Sequence, residues 1–442
     1  MTDLNRLTVS EAVKGIAARR FTAEALMQAC LDRVAERDDA VRAWAHLDPE
    51  QALTAAREAD EARVSGASPG PLHGVPVGVK DIIDTADMPT EHGSALFEGR
   101  QPAADARCVA LLRAAGAIVM GKTVTTELAN TAPSKTRNPH DIEHTPGGSS
   151  AGSGAAVADG QALGALGTQT GGSVIRPASF NGVYGLKPTI GLIPRAGVLL
   201  QSHTLDTIGV SGRSVADLAL LANTLSRPEP DDDFSYTGYR EDLSAALARR
   251  SAGAPRFAFL KTPAWPDADP EARQAIEAFT KGLGEHCRDE ALPPPFDRVL
   301  SLHATVFGAE NLFYYGPFAE ERPERMTRNL LQRLEGAKRF TARDYVEAIV
   351  QRQRTLSVLD ELLEHYDAIL CLAACGSAPR GFETTGNPAF NSPWTYLGVP
   401  SCSLPLLEVN GLPLGVQLVG QRGGEGSLLR AAGWLDRWAR KS

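Results

Sequence analysis

The 442-residue chain has no Cys-x-x-Cys pair and no unbroken apolar stretch approaching the roughly 20 residues that span a bilayer. Its first residues, Met1-Thr2-Asp3-Leu4-Asn5-Arg6, form no apolar h-region. These absences predict neither a signal peptide nor a membrane span, and a cytoplasmic location. The six cysteines, Cys30, Cys108, Cys287, Cys371, Cys375 and Cys402, are scattered and read as free thiols. Cys371 and Cys375 lack a second pair and follow a strand-like apolar run, which argues against a metal site. Histidine is scarce, at nine residues, so few places offer the usual catalytic base. The formal net charge of −8 argues against nucleic-acid and anionic-membrane partners. No internal repeat or long low-complexity tract appears. What remains is ordinary for a globular protein: 43% apolar and 22% charged residues, enough for a large core.

Periodicity gives a coarse map. Leu26, Met27, Cys30, Leu31 and Val34 after Thr22-Ala23-Glu24 fit one helix, and Pro49–Val64 fits a second. Ser65–Pro71 reads as a loop. Short apolar runs then alternate with helices: Val75–Val79 is a strand ending at Lys80, Ala104–Ala115 a helix, Ala117–Met120 and Leu163–Leu166 strands. Asp206–Leu225 reads as a helix and the polar stretch 227–255 as a connection. Phe257–Leu260 is a strand, Asp269–Leu283 a helix, and two or three helices fill 300–365. Asp367–Leu372 and Leu414–Val419 are strands, with a long loop over Gly376–Pro400 and a closing helix over Ser427–Arg440. The alternation predicts an α/β fold: a central mixed, largely parallel β-sheet with helices on both faces. The preferred parse is a single domain over 1–442, with a core near 72–215 and a helical, pocket-shaping insert near 227–365.

The most informative stretch is Thr145–Thr189, dense in Gly and Ser. Such density suits either a flexible linker or a backbone that must approach something closely. Interspersed Ala, Val, Leu, Ile, Phe and Tyr favour the second. In Thr170-Gly171-Gly172-Ser173-Val174-Ile175-Arg176-Pro177, the proline is tolerated only in a first helical turn, which puts Ser173 near a helix start. The N–H groups of Gly171, Gly172 and Ser173 then converge where an oxyanion can sit. A serine needs a base, and Lys80, at the end of an apolar run, is a candidate if burial neutralises it. From the residues alone, a structural Lys80 paired with Asp81 or Asp84 stays open.

The sequence resembles the amidase signature family. The matching residues are Gly74-Val-Pro-Val-Gly-Val-Lys80-Asp81, Gly121-Lys122-Thr123, Asn138-Pro139, Pro146-Gly-Gly-Ser149-Ser150, Gly171-Gly-Ser173 and Gly185-Leu-Lys-Pro188. Leu205-Asp206-Thr207 and the run from Gly411 to Gly420 add to it, so the likeness spans most of the chain. Ser149 and Ser173 stand 24 positions apart, as in the family. The resemblance implies a Ser-Ser-Lys triad: Ser173 as nucleophile, Ser149 after a cis peptide as relay, Lys80 as base. It also implies Ser150 in support and an oxyanion hole from the N–H groups of Thr170, Gly171, Gly172 and Ser173. The implied substrate is a small-molecule amide, with no cofactor and no metal. A homodimer or a small accessory subunit is left open as partner.

Two departures bear on substrate. Gln169 stands where most members carry Asp, and the run through Arg176 resembles malonamidase-type and small ureido-hydrolysing members. By that likeness Arg176 binds a substrate carboxylate; the alternative is that it pairs with a protein carboxylate. The strand Asp367–Leu372 lacks the Thr-Pro-Thr-like turn common after it, so the loop to Phe390 is expected to shape the pocket mouth.

Other patterns offer rival readings. Gly116–Thr123 matches a P-loop, yet its interior Ala-Ile-Val-Met reads as a strand, which leaves a P-loop ATP-binding protein a weak alternative. Gly148–Gly152 matches a nucleophile elbow centred on Ser150, but no buried strand precedes it. His140-Asp-Ile-Glu-His144 matches a metal motif but lies between two prolines. The family also contains catalytic subunits of glutamine-dependent amidotransferases, the nearest rival to a stand-alone amidase.

Overall fold

The alternating runs fold into one mixed sheet whose strands come from nearly the whole chain. The computed structural model describes residues 3–66, 69–249 and 253–441, so part of the Ser65–Pro71 loop and of the 227–255 connection lies outside it. The strands are β1 Trp44–Leu47, β2 Pro76–Lys80, β3 Ile118–Thr123, β4 Gly164–Gln169, β5 Tyr184–Lys187, β6 Thr207–Gly212, β7 Phe257–Leu260, β8 Cys287–Glu290, β9 Ala368–Leu372, β10 Ser401–Val409 and β11 Leu412–Val419. Their order is β1-β3-β2-β4-β6-β5-β10-β11-β9-β7-β8. Every residue of β2 through β7 and of β9 is buried. Side chains alternate between faces along a strand, so full burial means that both faces are covered.

The sheet is mixed, as expected. Its parallel pairings form two blocks, β3-β2-β4 and β9-β7-β8. Antiparallel pairings join them and outnumber them, so "largely parallel" describes the two blocks and not the middle.

Several elements match their signals closely. Helix Pro49–Val64 has proline in its first turn and Asp48 accepting from the Glu50 and Gln51 amides. Helix Ala23–Val41 is capped by Thr22. The insert holds helices Val299–Glu321, Arg328–Ala337 and Ala342–Leu363. The closing helix is Glu425–Ala439.

Five strands, β1, β5, β6, β8 and β10, differ from the sequence reading. The helix expected over Asp206–Leu225 is instead β6 followed by helix Val215–Leu225. Thr207, Ile208 and Val210 favour a strand, Gly209 and Gly212 weaken a helix, and Ser214 caps the true helix by accepting from the Asp217 amide. The Gly376–Pro400 loop contains a short helix, Ser392–Tyr396.

Parallel pairing of β2 with β4 decides where the site forms. Val79 pairs with Leu166, so Lys80 and Thr168 both reach the carboxyl end of the sheet. Helix Ala151–Asp159 leads back to β4, which leaves Ser149 and Ser150 at that same end. Sites of open α/β sheets form at this edge.

Candidate active site

Lys80 is fully buried at the end of β2. Its Nζ lies 2.8 Å from Ser149 Oγ and 2.7 Å from Thr168 Oγ1. It forms no ion pair with Asp81 or Asp84. Asp81 faces Lys122 instead, at 3.5 Å, and Asp84 is held bidentately by Arg100 at 2.6 and 2.7 Å. Burial pushes the Lys80 amine well below its ordinary range, and Asp206 opposes this only in part. An amine so placed is stable in the neutral form and accepts a proton readily.

Ser149 is buried and follows the cis peptide Gly148–Ser149. Ser150 is pinned across β4: its hydroxyl accepts from the Thr168 amide and donates to the Thr168 carbonyl, both at 3.2 Å. Its own N–H donates to the Ser173 carbonyl at 3.3 Å, tying both serine segments together. The residues before Ser149 form no strand, so this is not a nucleophile elbow.

The turn after β4 carries Thr170 to Ser173. Among the described residues, the N–H groups of Gly171, Gly172 and Ser173 donate to no other group of the chain. Val174 and Ile175 donate theirs to Gln169 Oε1 at 2.9 and 3.0 Å. The Gln169 amide donates to Thr395 Oγ1 at 3.0 Å, and Thr395 donates to the Gly171 carbonyl at 2.7 Å. One side chain thus ties up the amides that follow the turn and leaves those within it unpaired. A Cβ at Gly172 would meet Asn391 Oδ1 at 2.3 Å and Arg176 Nη1 at 2.8 Å, so only glycine fits. On the other side, Asp206 accepts from the Thr170 hydroxyl at 2.5 Å and the Gln201 amide at 2.7 Å. His303 Nε2 lies 2.9 Å from the Thr170 carbonyl. Burial lowers this imidazole to about 4, so at neutral pH it is uncharged.

Ser173 and Arg176 line a cavity of about 500 Å³ together with Thr170, Gly171 and Gly172. Gly386 to Ala389 form part of its wall, as expected of the loop after β9. Arg176 is buried, and its Nε donates to the Thr385 carbonyl at 2.7 Å. Nη2 donates to the Gly148 carbonyl at 2.6 Å, while Nη1 is buried without a partner. The pairing with a protein carboxylate does not occur among the described residues.

Residues 25–429 match the family model for amidases. The chain belongs to the amidase family. This places the amidase-family enzyme among catalysts acting on carbon–nitrogen bonds. A glutamyl-tRNA(Gln) amidotransferase subunit of Chloroflexus aurantiacus is 34% identical to it, over 99% of this chain and 97% of that one. The same subunit of Chloroflexus aggregans is 33% identical, over 99% and 97%. Among solved structures, one of a vestigial protein complex bearing on the origins of an s-triazine catabolic enzyme superposes with TM-score 0.91 at 28% identity, over 98% of both chains. The peptide amidase of Stenotrophomonas maltophilia gives 0.84 at 29% identity, over 98% and 97%.

The rival motifs fall elsewhere in this amidase-family fold. Most of Gly116–Thr123 is strand β3, and Lys122 points to the Ile83 carbonyl at 2.8 Å, to Thr90 and to Asp81. His140 Nε2 lies 2.9 Å from the Asn181 carbonyl, whereas His144 Nδ1 lies 3.1 Å from Asp141. All six cysteines are free. No helix among the described residues is long and apolar enough to cross a membrane. Sequence reasoning missed Thr168, His303, Thr395 and the supporting part of Asp206. Thr168 lies inside the Gly-Ser stretch and was findable there; His303 and Thr395 carry no local signal.

Proposed function

We propose that this chain hydrolyses a linear amide of a small, carboxylate-bearing substrate through Ser173, Ser149 and Lys80. The observation that carries the reading is a buried amine whose hydrogen-bond partners are two hydroxyls and no carboxylate. Ser173 Oγ attacks the amide carbon, its proton passes to Ser149, and the Ser149 proton passes to Lys80 Nζ. Negative charge develops on the carbonyl oxygen and meets the N–H groups of Thr170, Gly171, Gly172 and Ser173. The C–N bond breaks as the proton returns along the same path to the leaving nitrogen. Water then attacks the ester on Ser173, surrenders a proton by that route, and releases the acid. Ser150 holds the segment bearing Ser149 in place against β4. The free Arg176 Nη1, in the cavity wall, supports recognition of an anionic group beside the reacting carbonyl.

Ammonia release from dicarboxylic monoamides by the purified protein, insensitive to EDTA and ATP, is the expected result. His140→Ala and His144→Ala should stay within about twofold of wild type. On malonamate, Arg176→Ala should lose far more than on a neutral amide; equal losses on both end the carboxylate assignment. A second reading rests on the Chloroflexus relatives: one catalytic component of an amidotransferase. Glutamine turnover strictly dependent on partner proteins would favour it.

A further inference from the structure

Unpaired N–H groups hold an oxyanion only if they all point at one place. A peptide group is planar, so whatever holds a carbonyl also fixes the direction of the N–H on the next residue. In the turn from Thr170 to Ser173 each of the three relevant carbonyls is held, and each by a different part of the chain. The Thr170 carbonyl, which shares its peptide with the Gly171 N–H, lies 2.9 Å from His303 Nε2 on helix Val299–Glu321. The Gly171 carbonyl, in one plane with the Gly172 N–H, accepts from Thr395 Oγ1 at 2.7 Å. The Gly172 carbonyl, in one plane with the Ser173 N–H, accepts from the Arg176 N–H at 2.9 Å.

The middle peptide is the one most free to rotate, because neither Gly171 nor Gly172 carries a Cβ. Among the described residues its only hydrogen bond is the one from Thr395. That hydroxyl has a single hydrogen and two carbonyls in reach, Gly171 at 2.7 Å and Asn391 at 3.3 Å. Gln169 biases the choice. Its Nε2 donates to Thr395 Oγ1 at 3.0 Å and so occupies the oxygen from one side. Gln169 cannot drift, since its Oε1 accepts from the Val174 and Ile175 amides at 2.9 and 3.0 Å. Both side chains are fully buried, and neither is among the residues that line the cavity. They can act on a substrate only through the backbone they hold.

We propose that Thr395 and Gln169 form a positioning pair that aims the Gly172 N–H at the reacting carbonyl oxygen. The proposal rests on the amidase reading and on the oxyanion hole within it. An interaction realised mainly in the transition state appears in kcat and hardly in KM. It also serves every substrate alike, unlike a contact from Arg176.

The test separates the hydroxyl from the packing around it. Thr395→Val keeps the shape and loses the O–H; Thr395→Ser keeps the O–H and loses a methyl group. In Thr395→Val, kcat should fall at least 10-fold, by the same factor on malonamate and on propionamide, with KM within about twofold of wild type. Thr395→Ser should stay within about threefold. Gln169→Met should lower kcat by a smaller factor, and the double variant should fall no further than Thr395→Val alone. A greater loss in Thr395→Ser than in Thr395→Val, or a loss confined to KM, overturns the proposal; losses that multiply in the double variant overturn the pairing. Should Thr395→Val fail to fold, Thr395→Cys, with only a weak S–H donor, is read in its place. Crystal structures of wild type and Thr395→Val give a readout independent of turnover. The Gly171–Gly172 peptide should be rotated or split between two orientations in the variant, and an unchanged plane overturns the proposal. Should wild type release ammonia from neither amide, the amidase reading fails and the peptide plane still decides whether Thr395 holds it.

Discussion

Lys80, the last residue of β2, and Lys122, the last but one of neighbouring β3, are both fully buried and are surrounded quite differently. Lys80 meets two hydroxyls. Lys122 meets the Asp81 carboxylate, the Ile83 carbonyl and the Thr90 hydroxyl. Burial lowers both, Lys122 to about 8 and Lys80 well below the ordinary lysine range. A carboxylate and a carbonyl suit an ammonium, since both only accept. Hydroxyls can donate as well, so they accommodate a neutral amine and can pass a proton to it. Burial alone therefore does not make a base; the partner set does. Lys187 makes the same point. It is buried, lowered to about 7, and donates to the Pro188 and Val399 carbonyls, which can return no proton.

The sharpest way to break the comparison is substitution at each lysine. Lys80→Met and Ser173→Ala should each lower kcat/KM by at least about 10³-fold with the melting temperature little changed. Lys122→Met should do the reverse, acting on stability before turnover. It leaves the Asp81 carboxylate buried and uncompensated, at a cost of about 3 kcal/mol at pH 8 in denaturant unfolding. Burial already raises Asp81 to about 6 despite Lys122. Without that cation it rises further, so the folded variant takes up a proton as pH falls. The deficit should shrink toward pH 5, and Asp81→Asn in the same chain should restore part of it. Equal catalytic losses from Lys80→Met and Lys122→Met, at equal stability, would remove the distinction.

How much of this was readable in advance follows from the range of each interaction. Lys80 at the end of β2, and the turn from Thr170 to Ser173, are written in short local runs. Their company is not. Thr395 and His303 reach the turn from more than a hundred positions away, and only the folded sheet brings them there. The antiparallel middle of the sheet was hidden for a related reason. Strand β5, Tyr-Gly-Leu-Lys, is too short and mixed to show a period, and takes its form from pairing with β6 and β10. One signal was legible and unused. Asn410-Gly411, with φ of 55° and 74°, is a two-residue hairpin turn, and it announces β10 before β11.

The smallest expected effect probes the electrostatics around Lys80. In the proposed mechanism only a neutral Lys80 takes the Ser149 proton, so activity should rise with pH through the lysine's folded value. That acid limb should lie well below the roughly 10.4 of a free lysine. Asp206 is the charged group that favours the protonated amine. Replacing it with Asn removes that negative charge, lowers the Lys80 value further, and moves the acid limb of kcat/KM to lower pH, by about one unit or less. Asp206 also accepts from Thr170 and from the Gln201 and Ser202 amides, so the plateau should drop as well. The two effects separate cleanly, because loss of turn geometry scales the profile and only a charge effect displaces it. A limb displaced upward, or left in place while the plateau falls, would mean that the proton acceptor is not the amine beside Ser149.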